Sequence, residues 1–315
     1  MPSIPLIKGD KADNNVDYRD ALPVTYYAVF RDMYGEPGYY INYYGLTEIA
    51  QGIGYSRGAI WVSRPQFEGE YRVSGQSLIK VNSNNTITNL GVISGTRQCS
   101  MTYSLNNLAI VADKRLYYYN SSDGLRQISA NVGNIIDVVW ADFRFIATDG
   151  EYLYQSSALD EEVFEAIDFT GSDFQPDEIL GVGLNEDNEL MAFNTFSTEY
   201  FFNSGSETFT YTRIPLKAVK AGIVGTHAKA EYKDQWFCLA RRSNTQPQFS
   251  IIQSGSSESI TSREVEKILA TYTDGDLSKT VIEVFTKDGI TWMIAHLPGR
   301  TLKFNHTVYL KLGKE

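Results

Sequence analysis

The chain has 315 residues, with 28 Lys and Arg against 38 Asp and Glu, for a net charge of −10. At 43% hydrophobic and 21% charged residues it has material for a sizeable core, and the profile excludes bulk disorder. The acidic balance argues against wrapping nucleic acid by counterion release, and no apolar run reaches the roughly 18 residues of a membrane span.

The chain opens without a charged lead or a signal-length apolar run, which predicts a protein made in a cytoplasm-like compartment. Pro2, Pro5 and Pro23 flank a mixed-charge stretch, so residues 1–24 are expected to be an extended arm and residues 25–315 the folded domain. Tyr39, Tyr40, Tyr43 and Tyr44 then fall within six residues. Alternation along a strand sends tyrosines to both faces, so some should reach the surface as an interface or a closing edge.

From residue 58 onward a unit recurs about every 40 residues: a short apolar strand, a polar turn, a second strand, a tight turn and an aromatic-rich third strand. It reads GAIWV, EYRVS and SLIKVN near residue 60, and MTYSL, LAIVA and RLYYYN near residue 110. It continues as DVVW, FRFIA and EYLYQ, then as ILGVGL, ELMAF and TEYFFN. HAKAEY, WFCLA and FSIIQ follow, and the last copy is IEVF, ITWMIA and RTLKFN. Asn, Asp and Gly occupy the turns, where positive φ or local bonding is needed. Fourth strands are expected at 87–93, 125–129, 163–169 and 209–214. The pattern predicts an all-β β-propeller of about six four-stranded blades. A β-sandwich would need pairing between distant repeats, whereas a local meander explains every segment.

One segment breaks the pattern. Residues 259–272 read as a short inserted helix, centred on about 262–272, with Thr261 and Glu264 as a capping box. Val265, Ile268, Leu269 and Tyr272 share one face. The helix stands where the fifth repeat should have its fourth strand. It either plugs a gap between blades or offers Arg263, Glu266 and Lys267 as a docking face. The sixth repeat is short, leaving 308–312 as its fourth strand. It is therefore incomplete, or closed by the N-terminal region through 25–30 or 39–44.

The search for chemistry finds no catalytic, cofactor or metal residues. His227, His296 and His306 are not paired at metal-ligand spacing, and Cys99 and Cys238 stand alone in apolar flanks. Asn185–Glu189 lacks the ligand alternation of a calcium loop. Gly181-Val182-Gly183 lies inside a strand, where glycine marks close packing. Lys287-Asp288-Gly289 resembles the Asp-box of sialidase-like propellers but lacks its spacer residue, and a hairpin explains it. A propeller glycosidase and a generic cytoplasmic propeller scaffold remain as alternatives to the reading below.

The stretches Lys8-Gly9 and Asn15–Val24 resemble the opening of the packaged-DNA stabilisation proteins, the tail-hub family of short-tailed (podovirus) bacteriophages. Later stretches resemble that family in the same order: Ile179–Gly183, Thr198–Phe201, Lys220–Thr226, Val265–Ile268 with Tyr272-Thr273, and His296-Leu297-Pro298. The resemblance implies a non-enzymatic structural protein of the virion tail, made in the host bacterial cytoplasm. It implies a monomer or a ring such as a hexamer, docked beneath the portal and adaptor. Such a hub retains packaged DNA, touches it only by passage, and offers attachment to the tail needle and tailspikes. Local composition suggests Lys8, Asp17, Tyr18, Leu22 and Pro23 on the arm as interface residues, with the four tyrosines and the three helix residues. No membrane or cofactor is implied.

Overall fold

The computed structural model describes residues 26–29, 39–42, 48, 50–128 and 133–312. From residue 56 onward its strands form six consecutive antiparallel sheets, the blades of a propeller. Blade 1 comprises Ser56–Val62, Gly69–Ser74, Ser77–Val81 and Ile87–Val92. Blade 2 comprises Ser100–Tyr103, Leu108–Ala112, Arg115–Asn120 and Gly124–Gln127. Blade 3 comprises Asp137–Ala141, Arg144–Thr148, Tyr152–Ser156 and Phe164–Gly171. Blade 4 comprises Ile179–Leu184, Leu190–Asn194, Thr198–Asn203 and Tyr211–Arg213. In blades 1–4 and again from blade 5 to blade 6, neighbouring blades meet through innermost strands.

Blade 5 has five strands on four positions. Gly222–Ile223 and Lys229–Tyr232 both pair with Gln235–Arg241, one beyond the other, so the innermost strand is a single strand interrupted at 224–228. Gln248–Gln253 and Ser256–Ser259 complete the sheet. The fourth strand is therefore present, and the helix follows it rather than replacing it. Blade 6 has three strands, Val281–Lys287, Ile290–Leu297 and Arg300–Asn305.

The central strands of blades 2–5 are buried because a neighbouring blade covers each of their faces. All five residues of Leu108–Ala112 are buried. Leu108, Ile110 and Ala112 enter the cluster shared with blade 1, while Ala109 and Val111 enter the one shared with blade 3. Leu190 and Ala192 likewise face blade 3, and Met191 and Phe193 face blade 5. Strands covered on both sides read as continuous apolar runs, which explains LAIVA and ELMAF.

The ends differ from expectation. Residues 308–312 are not a strand: His306–Leu312 is a helix, here α3. A helix puts His306 and Tyr309 on one face, stacked 6.3 Å apart, where they meet Phe304 and Phe237. A strand would send them to opposite faces. At the other end Tyr26–Val29 pairs with Tyr39–Asn42 as a hairpin of its own, and so supplies no strand to blade 6 in the described pairings.

The inserted helix, α1, spans Arg263–Leu269, and a second short helix, α2, follows at Asp274–Leu277. The Thr261–Glu264 capping box does not form. The Thr261 hydroxyl donates to the Phe249 carbonyl, so Ser262 caps the helix by accepting from the Val265 N–H. Glu264 is buried against Lys267 instead. Leu269 and Leu277 join the core between blades 5 and 6, with Val265, Ile268 and Tyr272 packed against it. The helix is a plug.

Arg57, which is 1% exposed, ties blade 1 to the link that leads into blade 2. Its guanidinium donates to the carbonyls of Arg97 at 2.6 Å, Ser94 at 2.8 Å, Gly75 at 3.0 Å and Ile93 at 3.4 Å. Five rigid N–H donors suit four diverging acceptors, and a lysine ammonium cannot reach them together. Arg57→Lys should therefore cost roughly 1–3 kcal/mol, read as a lower urea midpoint at unchanged slope.

Candidate interaction surfaces

The residues marked from sequence separate into two groups. Lys8, Asp17, Tyr18, Leu22, Pro23, Tyr43 and Tyr44 lie outside the described residues. The backbones of Tyr39 and Tyr40 belong to the N-terminal hairpin. The helix residues are described. Arg263 is exposed, Glu266 accepts from Gln248 Nε2 at 2.8 Å, and Lys267 pairs with Glu264 at 3.2 Å. Glu266 therefore ties the helix to blade 5, while the Lys267 pair lies within the helix.

The axis of the propeller is polar. Asp137, on the innermost strand of blade 3, reaches Lys229 of blade 5 at 2.9 Å, passing over Gly181 of blade 4. Asp137 also accepts the N–H groups of Val182 and Val138 at 2.9 and 3.0 Å. Lys229 sits over the rings of Trp236 and Phe193, 5.4 and 5.8 Å from their centres. A Cβ on Gly181 would stand 2.6 Å from Lys229 Cε and 2.8 Å from Asp137 Oδ2. That glycine is there for close approach, as its strand position suggests. The arrangement joins three blades and leaves no free nucleophile.

The cysteines, His296 and the Asp288 turn are buried or locally bonded. The Cys99 and Cys238 thiols are pushed up to about 11 and about 12 by burial, so they stay protonated. His296 lies 3.5 Å from Glu283 and 3.3 Å from the Thr301 hydroxyl. Asp288 and Gly289 take φ of 52° and 75°, the hairpin turn their order suggests. Among the described residues no group of three or more His, Cys, Asp and Glu side chains is placed to hold a metal ion.

Burial holds the imidazoles of His227 and His306 below their ordinary 6.5. Below that pH the unfolded chain binds more protons than the folded one. The stability they contribute is complete above about pH 6.5 and is lost as pH falls toward the folded-state values. Burial raises Asp177 and Glu231, which act with the opposite sign. Replacing His306 with Phe isolates the imidazole: the decline in urea midpoint from about pH 7.5 to about 5.5 should become shallower.

One segregation of charge was missed from sequence. Residues 145–212, which cover most of blade 3 and nearly all of blade 4, hold 15 Asp and Glu and no Lys, Arg or His. The rest of the chain has 28 basic residues against 23 acidic ones, a net of +5. The charge of −10 is therefore the property of one stretch. The signal was in the sequence, hidden by averaging over the whole chain.

A family model described as Bacteriophage P22 Gp10, beta-propeller, matches residues 2–314. The chain belongs to this phage-stabilisation family. It is 26% identical to the tail hub protein gp10 of Salmonella phage P22 over 97% of its own length and 66% of that protein's. The fold is shared more widely. Catalytically inactive virginiamycin B lyase from Staphylococcus aureus has a TM-score of 0.50 at 10% identity, covering 79% of this chain and 83% of the lyase. The extracellular domain of a hybrid two component system from B. thetaiotaomicron reaches 0.52 at 10% identity, covering 82% of this chain and 34% of that one.

In this phage-stabilisation protein the stretches that carry the resemblance are mostly joints between blades. Ile179–Gly183 is the strand crossed by the axial ion pair. Glu199, fully buried, accepts from the Ser172 hydroxyl, the Phe174 N–H and Arg213. Gly222 and Gly225 press on blade 4 and on the end of α2. Val265–Ile268 lies in the plug helix.

Proposed function

We propose that this chain is a structural subunit of a phage tail hub, acting by binding rather than catalysis and located in the virion. The family match across residues 2–314 carries this reading. The structural side chemistry supports it, since the described histidines and cysteines are all engaged in packing or local bonding. The subunit joins into a ring beneath the portal and adaptor. The ring helps retain packaged DNA and gives footholds to the needle and tailspikes. DNA only passes: the acidic excess of residues 145–212, whose exposed carboxylates include Glu165, Asp173, Glu186 and Glu207, disfavours phosphate, which suits a conduit.

The experiment is light scattering on the chain alone and mixed with purified portal–adaptor complex. A monomer that becomes a stoichiometric ring on the adaptor is expected, and a mass unchanged by the adaptor overturns the reading. Deleting residues 1–24 should abolish docking while leaving the melting temperature within a few degrees, because the arm is proposed to grip a neighbour. Unaltered docking by the shortened chain would refute that role.

A further inference from the structure

The outer rim of blade 3 exposes apolar surface that nothing in the fold uses. Five of the fifteen exposed large apolar side chains among the described residues fall within residues 159–174. They are Leu159, Val163, Ile167, Phe169 and Phe174, with Ile167 70% exposed. The outermost strand, Phe164–Gly171, does not run flat along its neighbour. Phe164 stands opposite Ser156 and Phe169 opposite Tyr154, so residues 165–168 bulge out against Gln155 alone. Glu165, Ala166 and Ile167 are all exposed on that bulge.

Beside the bulge lies an aromatic ledge. Phe169 meets Tyr152 edge-on at 5.0 Å and Tyr154 at 6.2 Å, and the two tyrosines are 6.3 Å apart. The Tyr154 hydroxyl donates to Asp149 at 3.1 Å. The charges acting most strongly on the two phenols are carboxylates, from Asp149, Glu151 and Asp173. Both phenols are raised above their ordinary value, Tyr152 chiefly by its hydrogen bond to Glu151 and Tyr154, pushed up to about 12, chiefly by burial and then by Asp149. An isolated apolar patch on a soluble protein marks an interaction site when it is this concentrated. Residues 145–212 supply carboxylates and no cation to its rim, where Arg126 is paired with Glu162 and Arg144 donates to the Ser156 carbonyl.

We propose that this rim is a docking surface for an extended segment of another protein that alternates apolar and basic side chains. An arginine or lysine of that segment stacks on the ledge of Tyr152, Tyr154 and Phe169 and pairs with Asp149, Glu151 or Asp173. Its apolar residues cover Ile167. The choice of a basic partner follows from charge complementarity. The inference rests on the binding reading above, and adds to it where one partner sits and what chemistry that partner has.

The probe is a fluorescent twelve-residue peptide alternating arginine and valine, titrated into the full chain at physiological salt and followed by anisotropy. A matched glutamate–valine peptide serves as control. Saturable binding of the basic peptide alone is expected. It should weaken at least tenfold in Tyr152→Ser/Phe169→Ser and in Asp149→Asn/Glu151→Gln/Asp173→Asn. Ile167→Ser reads the same surface if either variant melts early. Glu186→Gln/Asp187→Asn/Glu207→Gln removes equal charge from the same acidic stretch away from the ledge, and should leave binding unchanged. Equal loss in that control would mean general charge attraction and would overturn the proposal. So would ledge variants that bind normally, or a wild-type chain that binds nothing. Docking to the portal–adaptor complex is measured on the same samples. Failure of the hub reading appears there in wild type and variants alike, whatever the peptide does.

Discussion

Asp137→Ala should be among the most destabilising single side-chain truncations in this chain. It removes the partner of a Lys229 ammonium that is 11% exposed, and strips the Val182 and Val138 N–H groups of their acceptor. Breaking a buried pair from one side costs roughly 3–5 kcal/mol, because the surviving charge stays in a medium that cannot solvate it. For a domain of this size that lowers the melting midpoint by on the order of 10 °C. Calorimetry on the purified variant checks the value. The discriminating measurement is the double variant Asp137→Ala/Lys229→Met. Methionine keeps an unbranched apolar stem against Trp236 and Phe193 without the charge, so the double variant should be more stable than Asp137→Ala alone. If it were less stable, Lys229 would matter through its packing stem rather than as half of an ion pair.

That ion pair also shows where sequence reasoning stops. The hairpins were legible because their signals are local. Asp113-Lys114, Asp142-Phe143 and Asp288-Gly289 all take positive φ at turns between apolar strands. Most fourth strands fell within a residue or two of their expected positions, and the helix was recognisable from its apolar spacing. Asp137 and Lys229, however, are 92 positions apart, and neither differs locally from a solvated charge. Only the ring brings them together. The same limit explains the error at 308–312, where an apolar and aromatic stretch fits strand and helix alike. There the stacking of His306 on Tyr309 decides the outcome, and it depends on Phe237 of another blade. The acidic stretch of blades 3 and 4 is a different case. Its charge was legible, but not its place, since a net charge has no position until the fold gives it one.

Gly222→Ala should be the most severe substitution to a single methyl in blade 5. The reason is space rather than conformation, since Gly222 is not in the left-handed region. An added Cβ would stand 2.5 Å from the backbone nitrogen of Phe196 and 2.5 Å from the carbonyl carbon of Thr195, and closer still to the Asn194 carbonyl oxygen. All three are backbone atoms of the turn that joins two strands of blade 4, so no rotamer change can clear them. Blades 4 and 5 must separate or that turn must move. Overpacking of a well-filled interior costs about 1–3 kcal/mol when side chains can adjust, so a rigid backbone wall puts the expected loss at about 3 kcal/mol or more. Gly225→Ala makes the same test at the next joint, where the Cβ would lie 2.9 Å from the Ser278 carbonyl carbon at the end of α2. By contrast Gly205→Ala, whose added Cβ meets nothing within 4 Å, should cost only the strain of its positive φ of 67°. Urea denaturation of the three variants should therefore rank them with Gly205→Ala mildest by at least 1 kcal/mol. A Gly222→Ala chain as stable as wild type would mean that the seam between blades 4 and 5 is loose, and that the Lys220–Thr226 resemblance has no packing cause.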